Sequence, residues 1–215
     1  MRMRPENALR MLLCAAFLVL QSSLFISCSE SDDEEADDFA NWQVRNEAFF
    51  ASLEDSLSRD AATWMKIKSF TKDAGVAGSN TDYIYVKVLE SGDGNELPLY
   101  NDTARISYLG RLIPTAKYPE GMVFDRTYFG SYSVETTTTS TLPIAGYIIG
   151  FATALQHMHR GDRWRIFIPR QLGYDETPQT SIPAYSTLIF DVAMIDFWHP
   201  GEQRPSWKAR QTYLR

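Results

Sequence analysis

The side chains able to do covalent or metal chemistry are few, and their spacing points to little of it. The two cysteines, Cys14 and Cys28, both lie near the N-terminus. The three histidines are His157, His159 and His199. His157 and His159 stand two apart at the end of a helical pattern, so their side chains diverge rather than share a metal. His199 precedes Pro200 at a strand end and reads as a surface residue. There is no Cys-x-x-Cys, no His-Glu-x-x-His, no phosphate-cradling glycine loop and no Gly-x-Ser-x-Gly elbow. Serines are plentiful but have no obvious histidine partner. The expectation is a chain without metal or cofactor. One acid stands out: Asp125 directly follows Phe124, where a carboxylate beside a buried ring has little packing use.

A series of short motifs runs through the second half of the chain. It opens with Tyr108-x-Gly110-x-Leu112 and Val123-Phe124-Asp125. Ile149-Gly150-Phe151 follows, then Leu155-Gln156-x-Met158-x-x-Gly161-Asp162. Ile168-Pro169-x-x-Leu172-Gly173-Tyr174 comes next, and the series ends with Ile182-Pro183-Ala184-x-Ser186-Thr187-Leu188-Ile189-Phe190-Asp191-Val192. In this order, across residues 83–197, the motifs closely resemble the FKBP-type peptidyl-prolyl isomerase family. The resemblance implies a curved antiparallel sheet wrapped round a short helix, with a shallow aromatic pocket between them.

It also implies roles, residue by residue. Tyr108 matches the tyrosine that lines the pocket. Phe124 matches a wall ring and Asp125 a carboxylate at the rim. Ile148 matches the position whose backbone N–H meets a ligand carbonyl. Phe151 takes the place of the floor aromatic, and Tyr174 matches the tyrosine whose hydroxyl bonds a substrate carbonyl. Ile182 and Phe190 match apolar wall residues. Three features depart from the family pattern. Asp175 replaces the usual glycine after the tyrosine, and the loop 175–182 is short and lacks the histidine of some members. The segment 126–141 is long and aligns poorly, which leaves the aromatic normally supplied there unplaced.

The activity so implied is isomerisation of X-Pro bonds in proline-containing polypeptide clients, as a folding helper or chaperone. No bond is made or broken covalently, which agrees with the missing acid–base and nucleophile motifs. The alternative is a binding module that keeps the pocket as a non-catalytic recognition site, a reading motivated by Asp175 and the unplaced loop.

Such a pocket needs elements to hold it. At Tyr83 the apolar period changes to two, and Tyr83-Ile84-Tyr85-Val86-Lys87-Val88-Leu89 reads as a strand. Further strands are expected at 103–112, 122–125, 164–168 and 187–197, with a polar loop or edge strand over 131–141. A single short helix covers 149–158. Together these make an α+β fold, an antiparallel sheet packed on a helix. Ahead of it, Phe39, Trp42, Phe49, Phe50, Leu53 and Leu57 recur at helical spacing, with Asp37 and Asp38 as candidate N-caps. This stripe packs either on its own domain or against a second copy, as a homodimer interface. The cluster Trp64-Met65-Lys66-Ile67 continues this N-terminal helical segment, and 72–82 reads as a linker.

The N-terminus reads as an address. Arg2, Arg4 and Arg10 precede an apolar run too short and too interrupted for a membrane span. The run ends at Phe25-Ile26-Ser27-Cys28, which resembles a bacterial lipobox. The resemblance implies cleavage before Cys28, its lipidation, and anchoring to the outer membrane of the cell envelope; an ordinary signal peptide with an incidental cysteine is the alternative. Residues 29–38 carry seven acids and no base, an extended tether that also resembles the surface-export signal of Bacteroidetes lipoproteins. Removing residues 1–27 takes away three arginines and one glutamate, moving the formal charge from −6 to −8. The expected organisation is thus a signal peptide over 1–27, a tether over 28–38 and a helical segment with linker over 39–81. The isomerase domain follows over 82–199, and a tail over 200–215 bears Trp207 and Tyr213. At 44% apolar and 22% charged, the 215 residues are globular in composition. An acidic chain without a basic stripe excludes nucleic acid as a partner.

Overall fold

A computed structural model describes residues 37–202. The signal segment, Cys28, most of the acidic tether, and Trp207 and Tyr213 lie outside the described residues.

The first helix, α1, spans Trp42–Arg59 and starts later than the stripe suggests. Asp38 does not cap it: its carboxylate accepts hydrogen bonds from the Thr115 hydroxyl and, at 3.2 Å, from the Lys117 N–H. Asn41 takes the N-cap position with φ 52°, without a side-chain cap. Strand β1, Trp64–Lys68, follows, so the cluster expected to extend a helical segment is a strand instead. β2 is Tyr83–Glu90, β3 Thr103–Arg111, β4 Val123–Arg126 and β5 Ser140–Pro143. The short helix α2 is Ile149–Leu155, and β6 (Arg163–Ile168) and β7 (Leu188–Trp198) complete the sheet.

All pairings are antiparallel, in the order β1-β2-β6-β7-β3-β4, with β5 also on β3. β3 therefore pairs with β7 along its whole length on one edge. On its other edge it is shared between β5 at its start and β4 at its end. That branching turns the sheet around α2.

Register divides the side chains between two faces, because successive residues of a strand point opposite ways. Val86, Ile166 and Phe190 are paired across β2, β6 and β7 and so share one face. α2 lies on it, with Gly150 through Leu155 all buried. The approach is close. A Cβ on Gly150 would stand 2.3 Å from Ile168 Cγ2, so only glycine lets the helix sit that near the sheet.

The opposite face carries Tyr85 and Phe167, again register partners. α1 covers it. Phe50 meets Tyr85 edge-on at 5.3 Å, and Phe49 lies 6.2 Å from Phe167. Trp42 donates from Nε1 to Ser186 Oγ at 2.8 Å, and Asn46 Oδ1 accepts the Thr187 N–H at 2.7 Å. The apolar stripe of α1 is thus used within its own domain, with Trp42, Phe50 and Leu53 in the core and Phe39, Phe49 and Leu57 packed against it. β7, sandwiched between the two helix-bearing faces, is buried at every residue but one. This is why its sequence is almost continuously apolar rather than alternating.

Candidate active site

The rings expected to form a pocket meet over the α2 face. Phe151 from α2 and Phe190 from β7 form its floor, centroids 4.8 Å apart and nearly perpendicular at 77°. Tyr108 from β3 stands 6.0 Å from Phe151 and 6.1 Å from Phe190. Phe124 from β4 meets Phe190 edge-on at 5.4 Å. Gly110 makes this cluster possible. A Cβ there would come within 2.7 Å of both the Phe124 and Phe190 rings.

Above the floor is a cavity of about 430 Å³, and all eight residues singled out from the sequence line it: Tyr108, Phe124, Asp125, Ile148, Phe151, Tyr174, Ile182 and Phe190. They come from three strands, one helix and two loops. Cys28, the ninth singled-out residue, lies outside the described residues. Polar groups accompany the rings. The Tyr108 hydroxyl donates to Asp125 Oδ2 at 2.6 Å. Burial, reinforced by the Asp125 carboxylate, pushes the Tyr108 hydroxyl far above the ordinary tyrosine range, so its proton stays on at neutral pH. Ile148 is the residue just before α2, and among the described residues nothing accepts a hydrogen bond from its N–H. Tyr174 is 38% exposed, with its hydroxyl unengaged among the described residues. Both groups are free to meet a guest.

Two features of the site were not read from the sequence. Tyr147 also lines the cavity, its ring stacked on Phe151 at 4.9 Å and 29°. Burial raises the pKa of its hydroxyl. Its only signal was its place beside Ile148. Gln179, Thr180 and Ser181 form a polar lip, in a tight turn closed by Gln179 N–H to the Ile182 carbonyl at 2.8 Å.

The long segment after β4 brings no ring to the cavity among the described residues. Tyr128 is buried against Tyr132, centroids 5.8 Å apart, and the Arg163 guanidinium lies over Tyr132 at 4.9 Å. Phe129 is 79% exposed under Arg126. No group of acids, histidines or cysteines suited to a metal occurs among the described residues.

A family model described as FKBP-type peptidyl-prolyl cis-trans isomerase matches residues 94–195. The curated FKBP-type peptidyl-prolyl cis-trans isomerase FkpA of Escherichia coli is 29% identical over 154 residues, covering 72% of this chain and 52% of FkpA. This chain therefore spans about half the length of that relative. The macrophage infectivity potentiator of Trypanosoma cruzi is 31% identical over 182 residues, 84% of this chain and 82% of the other. The crystal structure of FkpA from Escherichia coli shares the fold, with a TM-score of 0.50 at 23% identity over 91% of this chain and 74% of that one. On this sequence likeness and this fold, the chain belongs to the FKBP-type peptidyl-prolyl cis-trans isomerase family.

Proposed function

We propose that the protein is an active peptidyl-prolyl cis–trans isomerase that assists folding of proline-containing polypeptides at the cell envelope. The observation that carries this reading is the open, ring-walled cavity, whose lining also holds the Tyr108–Asp125 hydrogen bond and Tyr174. Rotation about a peptide bond faces a barrier of about 18–20 kcal/mol, because twisting ends amide resonance. The twisted amide is less dipolar than the planar one. A site poor in water favours it over the planar form, whose carbonyl water solvates well. Phe124, Phe151, Phe190 and the Tyr108 and Tyr147 rings supply that environment. The Tyr174 hydroxyl and the Ile148 N–H hold flanking carbonyls while the prolyl bond turns. Asp125, fixed by Tyr108, sets the polar edge of the site. A 10⁶-fold acceleration needs about 8 kcal/mol of such selective stabilisation.

The test is a protease-free exchange assay on a proline peptide, with the full chain in detergent. Turnover is expected, reduced about two- to ten-fold by Tyr174→Phe, the loss of one charge-free hydrogen bond in the twisted state. Absence of turnover alongside saturable peptide binding would instead support a non-catalytic recognition module.

The address in this reading is a lipid on Cys28, after removal of residues 1–27, with residues 29–38 holding the domain off the bilayer. No helix among the described residues is long and apolar enough to cross a membrane. Two or more acyl chains give stable anchoring at about 0.8 kcal/mol per buried CH₂. A Cys28→Ser chain should leave the membrane fraction; continued membrane partitioning would sink the lipid anchor.

A further inference from the structure

Tyr174 is followed by a residue whose backbone is unusual for its type. Asp175 has φ 52°, the left-handed region that glycine enters freely and other residues enter at a cost. Across from it, Tyr185 has φ 63°. The two are joined by the Tyr185 N–H donating to the Asp175 carbonyl at 2.8 Å. Arg170 holds this pair from both ends. Its carbonyl accepts the Asp175 N–H at 2.9 Å, and its Nη1 donates to the Asp175 carboxylate. Its guanidinium lies over the Tyr185 ring, 5.2 Å from the centroid. The side chain is only 19% exposed, which suits a structural clamp more than a solvated surface charge. Two more carboxylates face it: Glu176 at 3.7 Å, and Glu47 of α1 at 3.8 Å.

We propose that Arg170 is a positioning residue for the isomerase reaction: it pins Asp175 in the left-handed conformation and so fixes Tyr174 at the cavity rim, while Glu47 ties that clamp to α1. This rests on the isomerase reading above. The physical need is specific to this chain. With glycine after the tyrosine the turn would form unaided. With aspartate it requires a partner, and Arg170 supplies one through both its backbone and its side chain. Without the guanidinium, three acids would face one another beside the turn, and their repulsion would open it further.

Removing the guanidinium should have two effects, one independent of catalysis. In the full chain, Arg170→Gln should cut proline-peptide turnover about ten-fold, the scale of one charge-assisted hydrogen bond. It should also speed hydrogen exchange at the Asp175 and Tyr185 amides, read by NMR, by about the same factor. Both effects should shrink below about two-fold in an Asp175→Gly background, where the backbone no longer needs the clamp. In a Tyr174→Phe background, Arg170→Gln should add little further loss of turnover. A merely structural role would cost the same in every background. Unchanged amide exchange in Arg170→Gln, or an undiminished effect beside Asp175→Gly, would overturn the assignment. If the unsubstituted chain shows no turnover, the isomerase reading falls, and the amide rates alone decide whether Arg170 clamps the turn.

Discussion

At the scale of single residues, the site depends on what is missing as much as on what is present. Gly110 lies within β3, one residue from its end, and glycine in a strand ordinarily weakens the sheet. It is there because the Phe124 and Phe190 rings fill the space a Cβ would need. Gly110→Ala should therefore destabilise the protein by about 1–3 kcal/mol, the usual cost of overpacking a tight core. It should also lower turnover, because relief can come only from moving those two cavity rings. Urea unfolding beside the exchange assay checks both; a variant as stable as the parent would mean that the rings are not wedged. Much at this scale was legible beforehand, because the family motifs carry the rings that converge on the floor. Tyr147 was not. It lies in a turn before α2, where neither a period of two nor one of 3.6 reports which way a side chain faces. Nor was the conformation of Asp175, since a carboxylate in place of glycine names a departure without saying what stabilises it.

At the scale of elements, legibility followed burial. β2, β3, β6 and β7 were readable as strands because their apolar positions alternate or run together, and they form the middle of the sheet. The edge was harder. In β1, Lys66 and Lys68 share a face with Trp64, opposite Tyr85 and Tyr83. Their stems lie along aromatic rings, with Lys66 Nζ 4.8 Å from the Tyr83 centroid and 5.1 Å from that of Tyr85. Long cationic side chains can cover apolar surface while keeping their heads wet. Polar and apolar residues therefore stop marking outside and inside, and the strand's signal is lost. The segment after β4 was opaque for a related reason. Its tyrosines serve the face opposite the cavity, near the Arg165–Asp191 pair, whose Nε–Oδ1 distance is 2.6 Å. Arg111 reaches the same carboxylate at 2.9 Å. The segment's aromatic residues cover a charged patch behind the sheet, and so carry no pattern that relates them to the cavity. For α1, the heptad-like stripe gave its existence, while tertiary contacts set its start. Asp38 bonds to Thr115 and Lys117, and the helix begins only where Asn41 turns the chain.

For the molecule as a whole, one ion pair joins segments far apart in sequence and gives its stability a pH dependence. Asp102, fully buried just before β3, accepts the Leu99 N–H at 2.7 Å and faces His199 Nδ1, just past the end of β7, at 2.9 Å. The Asp102 carbonyl also accepts the Ile144 N–H at 2.8 Å, on the approach to α2 and the cavity. Asp102 thus ties the start of β3, the close of β7 and the lead into the site. The hydrogen bond to its carboxylate raises the His199 pKa, outweighing the opposing effect of burial, so the folded state favours the protonated imidazole. A group whose pKa is higher folded than unfolded stabilises fully while both states are protonated, below about pH 6.5. That contribution is lost as pH rises through the raised, folded value. With the imidazole 40% exposed, solvent screens the pair and keeps the effect small. The urea midpoint should therefore fall as pH rises from about 6 towards 9, and His199→Gln should flatten that slope by removing the only titrating partner of Asp102 in this pair. Parallel slopes for the two chains across that interval would show that the pair contributes nothing to the pH dependence, leaving the strand ends to their sheet pairing and the other hydrogen bonds of Asp102.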